Sequence, residues 1–436
     1  ITKVLKIYAG YCVESPGKRI KNSPDILIFI FRCENPLKYK YIRIFRLFCY
    51  PFGIWPGNML DEKMPGCYRY FIKQCPIQGT IVLIGEVNYL VRRGKSLDFF
   101  SVGDVCITTF LTIVTLVRIN VISVLRYKKL RRYMTYLLFQ VAEQIDTISH
   151  YFTLIMIAFI FFGLILFNLS PFSANIASGA FKNPRSENIT LRFSISYEFP
   201  GFRPEDHFIF TTLLNLYLSY ACTIFICAID LLLVLMVFQI IGHIQVLRRN
   251  LDDFPSPKNV CDCENVTNKE RITIGKFTEE ENSVIHYLLI ESVNHHRYIV
   301  GFVEEISNFF GPMMGIIYLY QLGGCCLLLL ECSQLDSQAL ARFGPLTIIS
   351  VAQLIEISVI FEIVGSMSEK LIDNVYYLPW QCMNMKNQRT VYIFFNRIQR
   401  TIHVTCMGVT PIGVQSMASV SNEGSYFILC LFGAAY

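Results

Sequence analysis

Glu86, Asp104, Arg118, Asp230, Glu356 and Glu362 are ionisable side chains that fall inside long apolar runs. A charge in hydrocarbon is costly, so each must face a bundle interior, a water-filled cavity or a partner. Groups of this kind mark ligand and ion paths, and they also lock helices together; both roles stay open from the sequence. No two are spaced along the chain as an acid/base set, and no histidine joins them, so they do not read as catalytic machinery. Nucleophile motifs and phosphate-cradling glycine loops do not occur elsewhere in the chain. Of the 16 cysteines, only Cys261-x-Cys263 and Cys325-Cys326 lie close together, and most read as small buried hydrophobes rather than metal ligands. An enzyme is therefore disfavoured, and neither a metal nor a cofactor is expected.

A second polar set lies in the closing stretch, Ile412 to Tyr436. On a helix, Ser419, Asn422 with Glu423, Tyr426, Leu429 with Cys430, and Gly433 recur at the 3, 4, 7 spacing of one stripe. The stripe begins polar and ends apolar. Two readings fit it. The helix could line a water path that closes at an aliphatic ring. Alternatively it is a buried helix whose Ser, Asn and Glu hydrogen-bond to neighbours.

The elements that must carry these residues are membrane spans. The 436 residues are 53% hydrophobic and only 17% charged, with a mean hydropathy of +0.43; soluble domains carry about 25% charged residues. Apolar runs at 75–91 (starting as early as Cys67), 98–124, 150–172, 208–241, 299–332, 343–368 and 403–434 predict seven spans in an all-α bundle. The 34 residues of the run 208–241 exceed what a bilayer needs, so such helices should tilt or project beyond it. Thirty Lys and Arg fall on one side of this arrangement and eight on the other, which predicts a cytosolic N-terminus and an extracellular C-terminus. The resulting division is a cytosolic region at 1–74, a bundle of four spans at 75–241, and a cytosolic loop at 242–298. Spans five and six at 299–368, a cytosolic segment at 369–411 and the closing helix at 412–436 complete it.

Local signals refine this division. The sequon Asn188-Ile189-Thr190 falls on the predicted outer side and is a glycosylation candidate; Asn265-Val266-Thr267 falls inside, and Asn168-Leu169-Ser170 is followed by Pro171 at a membrane edge. Thr278 followed by Glu281 reads as a capping box that opens a helix running without a break into the fifth span. Residues 386–402 predict a further helix with apolar and basic faces, and Pro411 should interrupt the pattern before the last span. This basic helix could suggest nucleic acid or calmodulin, but a cytosolic face near the membrane explains it more simply.

The chain resembles the insect odorant receptors, and the likeness extends over most of its length. It rests on Phe52-Gly53-Ile54-Trp55-Pro56 ahead of the first span, on Arg118 alone in the second, and on His295-His296-Arg297 at the entry to the fifth. It rests most on an ordered set: Gly365, Glu369, Tyr376, Trp380, Arg397-x-Gln399, Gly408 and Ser425-Tyr426-Phe427. Gly424 departs from the family's common Tyr, and Ser416-Met417 replace its usual Phe. Phe432 stands where the sister gustatory family ends in Gln. A rhodopsin-like receptor is disfavoured by the reversed N-terminus and by the absence of DRY and NPxxY motifs.

The resemblance implies an odorant-tuning subunit of a ligand-gated, non-selective cation channel, working with a shared co-receptor in a heterotetramer. It implies plasma-membrane localisation in the dendrites of olfactory neurons, a volatile odorant as ligand, and no nucleic-acid partner. Long helices would project into a cytosolic anchor, with Trp380, Arg397 and Gln399 among its residues. Ser419, Glu423, Tyr426, Leu429 and Gly433 would line the pore, Leu429 being the better gate candidate because Gly433 offers less bulk. The ligand would sit in the outer half of the bundle between spans two, three, four and six. Phe100, Ile107, Phe162, Leu166, Tyr217, Tyr220, Ser350 and Leu354 are its candidate lining, although helix packing accounts for each as readily. A gustatory-type channel, or a metabotropic receptor or transporter without a pore, are the alternatives. A transporter would predict inverted repeats, and no such internal symmetry is found.

Overall fold

The computed structural model describes residues 39–50, 55, 66–97, 99–120, 145–181, 191–257, 260–262, 273–332, 337–406, 410–415 and 418. Its elements are α1 (Lys40–Cys49), α2 (Gly66–Arg93), α3 (Phe99–Asn120), α4 (Asp146–Ala177) and α5 (Phe208–Asp252). A short antiparallel pair follows, β1 (Val260–Asp262) and β2 (Thr273–Gly275). Then come α6 (Glu279–Cys332), α7 (Ser337–Tyr376), a 3-10 turn (Trp380–Cys382) and α8 (Met385–Ile398). The hairpin β3 (Thr405–Cys406) and β4 (Thr410–Pro411) closes the series. Helices α2 to α7 fall on the first six predicted spans.

Helix α5 is the hub because it is apolar on nearly every side, broken by one sparse polar line through Asn215, Ser219, Thr223 and Asp230, and a helix so apolar must sit inside others. From Thr223 to Ile244 nearly every side chain is buried, and α1, α3, α4, α6 and α7 pack around it. Its 45 residues make about 68 Å of helix and the 54 of α6 about 81 Å, well over twice the ~30 Å of a bilayer core. Helices α3, α4, α5 and α7 are long and apolar enough to cross a membrane. The outer helices wear their apolar residues outward. In α2, Ile77, Ile81, Ile84, Val87 and Val91 form an exposed stripe while Glu86 is fully buried. In α7, Ile348, Val351, Ile355, Val359 and Ile363 do the same. Apolar-out and polar-in is the pattern of a bundle solvated by lipid.

At the other end the long helices meet α8. The capping box forms as the sequence predicts: Thr278 N donates to Glu281 Oε2 at 2.9 Å, and Glu281 N to Thr278 Oγ1 at 3.2 Å. Asn282, buried beside it, accepts from Asn384 N at 2.9 Å, while Asn387 Nδ2 donates to the Asn282 carbonyl at 2.9 Å. Asn384 caps α8 by accepting from Asn387 N at 3.0 Å. Helix α1 presents Tyr41, Ile42, Phe45 and Cys49 to the core, and the motif residue Trp55 meets Phe45 edge-on at 6.3 Å.

Two expectations need correction. Helix α8 ends at Ile398 rather than 402, because residues 401–404 run without helix beside α7, where Ile402 N donates to Ser368 Oγ at 2.9 Å. The seventh span does not begin at 403. The hairpin pairs Thr405 with Pro411, and a helical turn starts only at 414–415. A proline has no N–H to give and cannot continue a preceding helix, so Pro411 ends the hairpin instead. Gly365 lets this crossing segment approach: a Cβ there would lie 2.5 Å from the His403 ring.

Candidate functional site

A cavity of about 240 Å³ lies in the middle of the bundle, with walls from α2, α3, α4, α5, α6 and α7. Helix α3 supplies its polar wall through Thr108, Thr112, Thr115 and Arg118, which lie 4, 3 and 3 residues apart and so share one face. Each threonine hydroxyl also bonds back to its own helix, Thr108 to the Val105 carbonyl, Thr112 to Thr108 and Thr115 to Leu111. The opposite wall is apolar: Met156, Ile160 and Phe167 from α4, Leu218 and Phe225 from α5, Ile317 from α6 and Ile349 from α7.

Four of the six intramembrane ionisable residues meet here. Arg118 Nη1 and Asp230 Oδ2 are 3.0 Å apart in a buried ion pair. Glu86, fully buried, accepts from Thr112 Oγ1 at 3.2 Å through one carboxyl oxygen, and the other has no partner among the described residues. Glu356 lines the cavity from α7. The fifth, Glu362, sits apart and accepts from Val414 N at 3.1 Å, holding the start of the closing helix; a carboxylate suits the N-terminal end of a helix dipole. Asp104 is half-buried on α3. Sequence spacing cannot show the Arg118–Asp230 pair, since its members are 112 residues apart.

The α4–α5 connection closes one end of the cavity, to which it contributes Ile195. Asparagines clamp it. Asn175 accepts from Arg192 N at 2.9 Å and donates to the Arg192 carbonyl at 2.6 Å. Asn215 donates to the Ile195 carbonyl at 3.0 Å, Asn88 to the Glu198 carbonyl at 2.8 Å, and Asn168 accepts from Ser194 Oγ at 3.0 Å. Arg93 fastens the same segment through Glu198 at 3.0 Å and Glu205 at 3.3 Å.

Of the predicted lining residues, the seven whose side chains are described sit beside the cavity, not on its wall. The wall is formed instead by Thr108 next to Ile107, Gly163 next to Phe162, and Phe167 next to Leu166. Likewise Leu218 replaces Tyr217, Ala221 replaces Tyr220, Ile349 replaces Ser350 and Gln353 replaces Leu354. One residue is about 100° of helical rotation, enough to turn a side chain off a wall. Phe162, Tyr217 and Tyr220 face outward at 53%, 39% and 41% exposure. Tyr217 still reaches inward indirectly, donating from its hydroxyl to the wall residue Gln78 at 3.4 Å. Leu354 is buried in the main core, and Ser350, Ile107 and Leu166 are half-buried. The side chain of Phe100 lies outside the described residues, as do Ser419, Glu423, Tyr426, Leu429, Gly433 and the sequon Asn188. The α3 threonine series was the signal available in the sequence, and α2 and α6 contribute walls that the expected site omitted.

At the far end, the motif residues Trp380, Arg397 and Gln399 are exposed around the 3-10 turn and α8. Beneath them lies a buried histidine cluster beyond the spans predicted at 208–241 and 299–332. His243 Nδ1 and His295 Nε2 are 3.2 Å apart, and His296 stands edge-on to Phe394 at 5.7 Å. Burial pushes His243 down to about 3, helped by the neighbouring His295. His295 falls to about 4 through burial and His296, and His296 to about 4 through burial and the Arg397 charge.

The family profile described as 7tm Odorant receptor matches residues 98–422. Among solved structures, that of the insect olfactory receptor OR5 from Machilis hrabei in complex with eugenol superposes with a TM-score of 0.67. The match is at 12% identity and covers 92% of this chain and 100% of that one. The structure of the same receptor described without eugenol gives 0.64 at 12% identity, covering 90% and 97%. No curated protein sequence matches the chain. At 12% identity the structural likeness speaks for the fold, while the profile covers about three quarters of the residues: the chain is a multi-pass membrane protein that belongs to the odorant receptor family.

Proposed function

We propose that this chain is the odorant-binding subunit of a ligand-gated cation channel, assembled with a co-receptor in a heterotetramer in the dendritic plasma membrane of insect olfactory neurons. Its ligand is a small volatile held in the central cavity. The observation that carries this reading is the mostly apolar chamber itself, walled by six helices two of which run from it to the far end of the molecule. A volatile that buries ~200 Å² of apolar surface there gains ~5 kcal/mol, enough for odorant-grade affinity before any hydrogen bond is counted.

The route from cavity to gate follows from the same helices. A ligand held in the cavity would meet Ile317 and Tyr320 of α6 and Ile349 and Gln353 of α7, which line it. The two helices hold the hairpin and the start of the closing helix after it: Thr405 N donates to Ser307 Oγ of α6 at 3.0 Å, and Val414 N to Glu362 of α7 at 3.1 Å. A ligand that fits better when α6 and α7 have shifted favours the open state by its differential affinity alone. The closing helix, with Ser419, Glu423, Tyr426, Leu429 and Gly433 on one stripe, then lines the pore, and the exposed Trp380, Arg397 and Gln399 face neighbouring subunits. Co-expression with the family's co-receptor and recording of volatile-evoked current tests this. Leu429→Ala and Glu423→Gln should change conductance or ion selectivity. Currents indifferent to both would remove the pore assignment, and no current from any volatile would remove the channel reading.

A further inference from the structure

The charges on the cavity wall do not balance. Its one basic side chain among the described residues, Arg118, is already engaged by Asp230 at 3.0 Å. Two further carboxyl groups, Glu86 and Glu356, have no cation to meet on the described wall. Glu86 is the sharper case. It is 0% exposed, yet only Oε1 has a partner, the Thr112 hydroxyl, and that hydroxyl also lies 3.0 Å from the Thr108 carbonyl. A hydroxyl has a single proton to give, so it cannot satisfy both acceptors fully. Oε2 has no partner at all among the described residues. A buried acceptor left open in a chamber shaped for a small molecule is a place for the ligand's own donor.

We infer that the cavity selects volatile amines, with Glu86 taking the ammonium group and the apolar walls of α4, α5 and α7 taking the carbon skeleton. This rests on the odorant-cavity reading above and narrows its ligand class. The pairing is reached from either protonation state. A carboxylate receives an alkylammonium directly. A carboxylic acid hands its proton from oxygen to the nitrogen lone pair of the free amine, so the same ammonium–carboxylate pair results with net charge conserved. An alkane brings no donor and leaves Oε2 unsatisfied. An alcohol brings one neutral donor, and a charge-assisted hydrogen bond is about twice as strong as a neutral one. Glu356 supplies a second acidic wall group on α7, so an amine placed between them draws α2 and α7 toward one centre.

The test compares hexylamine, hexanol, hexane and N-hexylacetamide, four probes with one chain length and only one basic nitrogen among them. Current is read in cells expressing the chain with the co-receptor, and thermal shift on the purified chain in nanodiscs. Hexylamine should be about tenfold more potent than hexanol or N-hexylacetamide, as a gain of one charge-assisted bond implies. Glu86→Gln should shrink that amine-over-alcohol ratio by about tenfold, and Glu356→Gln should shrink it by less. Equal potency of hexylamine and hexanol overturns the amine assignment while leaving the cavity reading intact, since both then bind. A ratio unchanged in Glu86→Gln removes Glu86 from the site. If no probe, and no wider set of neutral volatiles, stabilises the chain or evokes current, the cavity reading itself fails and takes this inference with it. The unmodified chain with N-hexylacetamide as the non-basic control decides the question even if Glu86→Gln does not fold.

Discussion

Replacing Arg118 with Met removes the guanidinium from a pair in which both residues are nearly closed to solvent, at 4% and 6% exposure. Asp230 then keeps a buried carboxylate whose Oδ2 has lost its cation at 3.0 Å and whose Oδ1 had no partner among the described residues before the change. Breaking a buried pair from one side costs about 3–5 kcal/mol, because the survivor's desolvation is no longer offset. Removing both charges at once, Arg118→Met with Asp230→Leu, deletes that penalty as well and should fall near the parent, within about 1–2 kcal/mol. The predicted coupling in a double-mutant cycle is therefore at least about 2 kcal/mol. For a chain of 436 residues, an unfolding entropy of ~2.1 cal/mol/K per residue converts 1 kcal/mol to about 1 °C, so the single variant should melt roughly 3–5 °C lower. Trp55, buried at 2% exposure against Phe45, gives the melting signal in nanodiscs once the exposed Trp380 is replaced by Phe in every variant. A single variant that melts like the parent would refute the burial argument, and a double variant as unstable as either single would refute the pairing.

Thr278→Ala opens the capping box at the start of α6 and should cost about 1 kcal/mol, seen as faster amide exchange in its first turn; unchanged protection there would deny the cap its role. Gly365→Leu forces the 401–404 segment away from α7 and should lower stability by about 1–3 kcal/mol, with Gly365→Ala smaller but in the same direction; melting temperature checks both, and a neutral Leu would show that the segment is free to move. The histidine cluster sets a pH dependence. His243 titrates near 3 and His295 and His296 near 4 in the folded chain, against an ordinary 6.5, so the unfolded chain binds more protons as pH falls below about 6.5. Stability should be level above about pH 7 and decline through the window from about 6.5 to 4, by up to ~2 kcal/mol per histidine near pH 5. Chemical denaturation across that range measures it, and His243→Gln should flatten the slope; a parent whose stability rises as pH falls would reverse the assignment. Asn175→Ala frees the connection over the cavity and should speed both ligand entry and release, so responses decay faster after wash-out; unchanged kinetics would mean ligand enters elsewhere.

The sequence was most informative where a single helix decides the outcome alone. The Thr278–Glu281 cap and the unbroken run into the fifth span both follow from local chemistry along one helix. It was least informative where two helices must agree on rotation. Ile107, Phe162, Tyr217 and Tyr220 are bulky or aromatic, yet each stands one position from the wall. In a soluble helix the apolar stripe points inward and fixes that rotation. Here lipid solvates the outside, so the bulky stripe of α2 or α7 points outward and the small and polar residues point in. Size and hydrophobicity therefore misdirect, while Thr108, Thr112 and Thr115 give the phase correctly.

That inversion also explains why the ionisable residues, scattered along the chain, end in one chamber. Each of Glu86, Arg118, Asp230 and Glu356 lies on the side of its helix turned away from lipid, and that side faces the bundle axis. Once there, three acids and one base compete for partners, and among the described residues only Asp230 finds a cation. A bundle under selection for stability alone would trade the unpaired Glu86 for a glutamine or a leucine, since a buried acceptor without a donor costs about 1–3 kcal/mol. Glu86 holds its place on α2 against that cost, on the wall of an open volume of about 240 Å³. Supplying the missing donor from outside recovers the penalty at the moment of binding, which makes the ligand's nitrogen worth more in this cavity than the same group would be on an already satisfied wall.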